Sequence, residues 1–262
     1  MKLTKKQIKA HEEACKLLEK DKLTFEDKIY VLDNWQEGAN NVNSVAGAFF
    51  TPWKLARDFK LAVYSDKRVI DLCAGIGALS LFMVEHAKWE QKVPEIVCLE
   101  LNHSYIEVGK KIVPEATWIH GSVLDPELIN SLGHFTQAIS NPPFGSIKTG
   151  SEYKKFLKYK GSQFELKVIE IASQIADFGS FIIPQMSTPY KYSGNNGMYE
   201  MKGDEMPQKV KTFIDQTKLE YDFNCGIDTE QYINEWKGVS PMCEIVTFDF
   251  TQTKKAIQQT LF

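Results

Sequence analysis

The sequence predicts an α/β protein with a doubly wound, mostly parallel sheet, and three features carry that prediction. From Arg68 onward, short apolar runs alternate with stretches of helical periodicity. The first run ends in the glycine-rich turn Ala74-Gly75-Ile76-Gly77, and the fourth ends in Asn141-Pro142-Pro143-Phe144. Alternation of this kind requires right-handed crossovers and helices on both faces of the sheet.

Residues 69–72 read as the first buried strand and 78–86 as the helix after its turn. Residues 95–100 read as the second strand, followed by a helix through Tyr105, Val108 and Ile112. A third strand is expected near 117–119, a fourth at 137–140, a helix over 164–176 and a fifth strand at 179–184. Two later apolar runs, 219–223 and 244–250, have too little helical pattern between them for another βαβ unit. They are expected to pair antiparallel at the sheet edge, which makes seven strands with an antiparallel edge strand. Upstream, Ile8, Cys15, Leu17 and Leu18 recur at helical spacing. A second helix should start at Thr24, with Asp27 three residues on as the other half of a capping box, and stop at the Gly38-Ala39-Asn40-Asn41 segment. The expected organisation is an N-terminal helical arm over 1–45 and a main domain over 46–262, with insertions at 145–163 and 185–203.

Composition narrows the class. Apolar residues make up 43% of the 262, enough to bury a sizeable core. A formal charge of -3 does not mark a nucleic-acid binder, but phosphate contacts need only a local basic patch. The five cysteines, Cys15, Cys73, Cys98, Cys225 and Cys243, are odd in number and lack C-x-x-C spacing, so free thiols in a reducing cytoplasm are expected. No apolar stretch approaches the length of a membrane span, and the first residues lead into no apolar signal core. The five histidines show no ligand spacing, and no metal is expected.

The chemistry concentrates in three places. Gly75 and Gly77 let the backbone turn sharply after the first strand and approach a ligand beside the next helix's N-terminus. Ser80 replaces the third glycine of a dinucleotide fingerprint. Glu100, at the end of the second strand, is placed to accept hydrogen bonds from both ribose hydroxyls of a nucleoside. Asn141 to Phe144 follow the fourth strand and should face the same crevice. The two prolines remove backbone donors and leave carbonyl acceptors beside the Asn141 side-chain oxygen. Clustered acceptors suit an NH2 group, whose lone pair they draw out of conjugation as it attacks a methyl sulfonium. Phe144 supplies a face for a flipped base.

On these residues the chain resembles an amino-methyltransferase of the S-adenosylmethionine (SAM)-dependent superfamily, in the subgroup where the cofactor motif precedes Asn-Pro-Pro-Phe/Tyr. The resemblance runs from residue 46 to residue 184 in the family's order. Ala48-Phe49-Phe50-Thr51-Pro52 resembles the upstream cofactor motif of DNA adenine-N6 methyltransferases, Asp71 to Gly77 the next motif, and Gly121-Ser122-Val123-Leu124-Asp125 the adenine-side motif. The resemblance implies a Rossmann-like class I methyltransferase fold and a SAM cofactor. It places Phe50, Thr51, Pro52, Asp71, Cys73, Gly75, Gly77, Glu100, Leu101, Ser122, Val123 and Asn141 around that cofactor, with Asn141, Pro142, Pro143 and Phe144 as the catalytic motif. Where the family usually carries an acid for the SAM adenine, this chain has Ser122; either Ser122 or Asp125 is the candidate.

After the catalytic loop, basic residues including Lys148, Lys154, Lys155, Lys158, Lys160 and Lys167 interleave with Tyr153, Phe156 and Tyr159, against Glu152 and Glu165. That mixture fits phosphate contacts plus stacking. Together with Phe144 and with Tyr190 in the polar 185–203 stretch, Lys148, Tyr153, Lys154 and Lys155 are the candidate substrate residues. The expected activity is adenine-N6 methylation of DNA. The alternatives are adenine-N6 methylation of RNA, including ribosomal RNA, protein glutamine-N5 methylation, a non-catalytic SAM- or nucleic-acid-binding subunit, and a NAD-dependent oxidoreductase. The short chain leaves little room for a target-recognition domain, so base-sequence specificity is expected to be weak or supplied by a partner.

Overall fold

The computed structural model describes residues 3–36, 49–64, 67–89, 94–147, 155–222 and 225–252. Two capped helices come first, α1 (Lys5–Leu18) and α2 (Phe25–Asn34). The capping box at Thr24 forms as the sequence predicts: Thr24 N donates to Asp27 Oδ2 at 3.1 Å, and Asp27 N donates to Thr24 Oγ1 at 3.2 Å. A short helix that the sequence did not announce, α3 (Trp53–Phe59), follows Pro52.

The sheet begins with β1 (Arg68–Leu72), followed by α4 (Ala78–Trp89), β2 (Glu95–Glu100), α5 (His103–Ile112), β3 (Thr117–His120), α6 (Pro126–Ser131) and β4 (Phe135–Ser140). Then come α7 (Phe164–Ile175), β5 (Ala176–Pro184), a two-stranded hairpin of β6 (Tyr190–Lys191) and β7 (Tyr199–Glu200), α8 (Gln208–Thr217) and β8 (Cys243–Asp249). The strand order is β3-β2-β1-β4-β5-β8, parallel except for β8, which runs antiparallel to β5.

Alternate strand residues sort into two cores. Val69, Ile96, Cys98, Ile139, Ile182 and Ile245 pack with α2, α3 and α4, and Ala14 of α1 joins them. Ile70, Leu72, Val97, Leu99, Phe181 and Phe248 pack with α7 and Phe213 of α8. Period-two burial on both faces is what helices on both sides of a sheet demand. The expected boundary at residue 45 lies outside the described residues, but Val31, Leu32 and Trp35 of the arm share the first core with the sheet.

Among the described residues the sheet has six strands, one fewer than expected. Lys218, left-handed at φ +63°, turns the chain out of α8. Leu219 and Tyr221 then pack into the second core, and among the described residues Asp222 N donates to Thr247 O of β8 at 3.0 Å. An apolar run that spends its side chains on one core without a continuous ladder is a packed strap, not a strand.

The order of strands reverses between β1 and β4. In an open α/β sheet this switch point opens a crevice at the carboxyl ends of those two strands.

Candidate active site

The glycine turn forms one lip of the crevice. Cys73, Gly75 and Gly77 have φ of +63°, +57° and +87°. Gly77 is further required by its neighbours: a Cβ there would stand 3.0 Å from Val113 Cγ2 and 3.2 Å from Trp118 Cζ2. Glu100 ties the turn to β2, accepting from Gly75 N and from Asn102 N, both at 2.8 Å.

Asp71 lies beneath this turn and is 1% exposed. Its Oδ2 accepts from Ser80 Oγ at 2.7 Å, and its Oδ1 is buried without a hydrogen-bond partner. Burial pushes its carboxyl up to about 7, and the nearby Glu100 charge adds to that. Cys73 is likewise pushed well above the usual thiol range by burial.

The other lip is the loop after β4. Ser140 Oγ donates to Leu72 O, which ties the ends of β4 and β1 together. Asn141 Nδ2 donates to Thr51 Oγ1 at 2.8 Å and to Phe49 O at 3.2 Å, while Asn141 Oδ1 is buried with no partner. Residues 49–51 therefore span the crevice: Thr51 reaches Asn141, and the Phe50 ring lies 3.6 Å from where a Gly75 Cβ would be. Pro142 is buried, and Pro143 and Phe144 are half-buried. The Phe144 ring stands 6.2 Å from Phe49 and 6.5 Å from Trp236.

Two neighbours of the crevice carry no signal in the sequence. Trp236, from the far end of the chain, closes the aromatic group around Phe144. Glu165, grouped with the loop charges, is fully buried instead: its Oε2 accepts from Gly145 N at 2.9 Å and its Oε1 from Ser187 Oγ at 2.7 Å. The end of the Asn141 loop thus hangs on the first turn of α7.

Other candidates are placed less directly. Leu101 is 64% exposed, and its carbonyl meets His120 Nε2 at 2.9 Å. Val123 is buried, and Ser122 Oγ accepts from Leu124 N at 3.1 Å. Asp125 serves as the cap of α6, accepting from Glu127 N at 3.0 Å and Leu128 N at 3.2 Å, so Ser122 is the freer of the two adenine-side candidates. Lys148, Tyr153 and Lys154 lie outside the described residues; Lys155 and Lys158 are exposed.

Three aromatic and basic expectations are corrected. Tyr190 is 4% exposed and its hydroxyl donates to Ile245 O at 3.4 Å, because pairing of β6 with β7 turns it into the second core. Tyr159 packs edge-on against Phe213, and Lys167 is buried on α7. None of these three side chains offers a surface to a substrate.

Among the described residues no cluster could hold a metal, and no helix is long and apolar enough to cross a membrane.

The fold is class I methyltransferase-like, with a mostly parallel sheet of six strands among the described residues. No protein family's sequence profile matches the chain. The chain is 28% identical over 172 residues to the type II methyltransferase M.BsuBI of Bacillus subtilis, a stretch covering 54% of this chain and 34% of that protein. It thus spans about a third of that curated relative's length. A candidate class I SAM-dependent methyltransferase of Listeria monocytogenes shares the fold at a TM-score of 0.60 and 14% identity, over 88% of this chain and 69% of that one. The type I restriction-modification methyltransferase subunit of Streptococcus thermophilus does so at 0.55 and 13%, over 86% and 50%.

Proposed function

We propose that the chain is a SAM-dependent methyltransferase that methylates the N6 amino group of adenine in DNA. The Asn141 side-chain oxygen carries this reading. It is a buried acceptor with no partner, set where the fold binds ligands and beside half-buried aromatic rings. A buried acceptor left open costs stability, commonly ~1–3 kcal/mol, which a ligand N–H recovers.

The crevice fits SAM. Its glycine turn admits a close ligand, the Glu100 carboxylate stands against that turn, and Phe50 and Thr51 line the span between the lips. When bound, SAM supplies an electrophilic methyl group. The protein's part is to hold the amine: Asn141 Oδ1 accepts one N–H and turns the nitrogen lone pair out of the ring's π-system. The same oxygen lies against the positive charge that grows on nitrogen, and the proton leaves to water after transfer. No strong base is needed. Phe144, flanked by Phe49 and Trp236, offers the stacking face for a base taken out of its helix.

The choice of DNA is supported by similarity to a type II methyltransferase and by the resemblance of Phe50-Thr51-Pro52 to the DNA enzymes. The test is to incubate the pure protein with methyl-labelled SAM and DNA, RNA or protein in turn, then identify the labelled product. N6-methyladenine in DNA is expected. Label in RNA or protein only would refute the substrate, and no label with SAM still bound would refute the activity.

A further inference from the structure

Residues 229–238 are fastened onto α2 and α3. Tyr232 Oη donates to the Asp58 carboxylate, and Lys54 Nζ pairs with Glu235 Oε1 at 2.6 Å. Lys237 Nζ reaches further, donating to Leu32 O at 2.5 Å and to Trp35 O at 2.9 Å. In a continuing helix Leu32 O would receive Gln36 N, but Gln36 N donates to His11 Nδ1 at 3.0 Å instead. Lys237 thus caps the carboxyl end of a helix some 205 residues earlier in the chain. Its ammonium also stands 5.6 Å from the centre of the Phe50 ring.

These contacts touch both walls of the crevice. Phe50 packs on Trp35 and Tyr105 at 5.6 and 5.0 Å and lies over Gly75. Trp236, joined to Lys237 by one peptide, stands beside Phe144. We infer that Lys237 is a positioning residue of the site: by closing the end of α2 it holds Phe50 against the glycine turn, and it fixes the Trp236 ring beside Phe144. Desolvation pushes its ammonium down to about 8, opposed by Asp33, and the side chain is half-buried against α2.

The inference rests on the reading of Phe50 and Gly75 as the cofactor side. SAM affinity by calorimetry, and the melting temperature, are measured for the wild type, Lys237→Met, Lys237→Arg and Glu100→Ala. Methionine keeps the buried stem but not the donors; arginine keeps charge and donors. About tenfold weaker SAM binding is expected in Lys237→Met, with most of it recovered in Lys237→Arg. The melting temperature of Lys237→Met should move by only a few degrees, since losing a buried charge offsets two open carbonyls. Unchanged affinity in Lys237→Met, with Glu100→Ala weakened, overturns the inference alone. Affinity and melting temperature falling together without recovery in Lys237→Arg makes Lys237 merely structural and also overturns it. Unchanged affinity in Glu100→Ala overturns the cofactor-site reading and this inference with it.

Discussion

Asn141 Nδ2 donates to Thr51 Oγ1 at 2.8 Å, and this one bond decides which end of the Asn141 amide is left to act. The nitrogen is engaged by residues 49–51, so the oxygen is the atom available to a substrate. Asn141→Ala should lower kcat at least 100-fold, about 3 kcal/mol of transition-state stabilisation. The same change removes two bonds to residues 49–51, so on the proposed reading SAM affinity should fall several-fold too. Steady-state rates and calorimetry on one preparation check both; an unchanged kcat would refute the assigned role.

Asp71 predicts a pH signature of stability. Its folded carboxyl lies near 7, above its ordinary 3.8, because burial penalises the ionised form. The folded state therefore holds the proton more tightly than the unfolded one. The stability it contributes is fully present below pH 3.8 and is lost as pH rises to 7, by roughly 4 kcal/mol if the whole shift is expressed. Asp71→Asn, which can still accept from Ser80, should melt above the wild type at pH 8 and level with it near pH 4. Parallel melting curves at both pH values would rule this out.

Gly77→Ala is expected to be costly for two separable reasons. Its φ of +87° disfavours any side chain, and the new methyl meets Val113 Cγ2 at 3.0 Å. A loss of roughly 2–3 kcal/mol is expected, read by urea unfolding. Adding Val113→Ala should recover only the Val113 share of the crowding relative to Val113→Ala alone, because Trp118 Cζ2 still stands 3.2 Å away, and full recovery would show that the backbone angle is without cost.

Glu165 holds two loops at once. Glu165→Ala leaves Gly145 N and Ser187 Oγ without their acceptor and should cost about 3 kcal/mol, with faster amide exchange at both positions. Exchange that quickens at only one would show that the loops are independently held.

Strands β1, β2 and β4, the glycine turn and the Asn141 loop were legible because each is a contiguous signal: an apolar run, then a residue type with a backbone reason to be there. Thr24 and Asp27 were legible for the same reason, as partners three residues apart. Trp236, Lys237 and Glu165 were not, since their roles arise from contacts made with distant residues. A glutamate on a helix reads as a solvated charge until the chain shows what covers it. Tyr190 misled in the opposite sense: it sits in a polar stretch, and only the pairing of β6 with β7 reveals the face it turns inward. The seventh strand, not found among the described residues, has a similar cause: residues 219–222 have strand composition but are not assigned to the sheet there.

The crevice opens between strands from the middle of the sequence, yet its walls are fastened by residues near both ends of the described chain, Trp35 on one side and Trp236 with Lys237 on the other. A ribosome delivers Gly75, Glu100 and Asn141 after Trp35 but well before Trp236 and Lys237. Until 229–249 emerge and β8 lies down against β5, the growing chain carries an open crevice and an uncovered sheet edge.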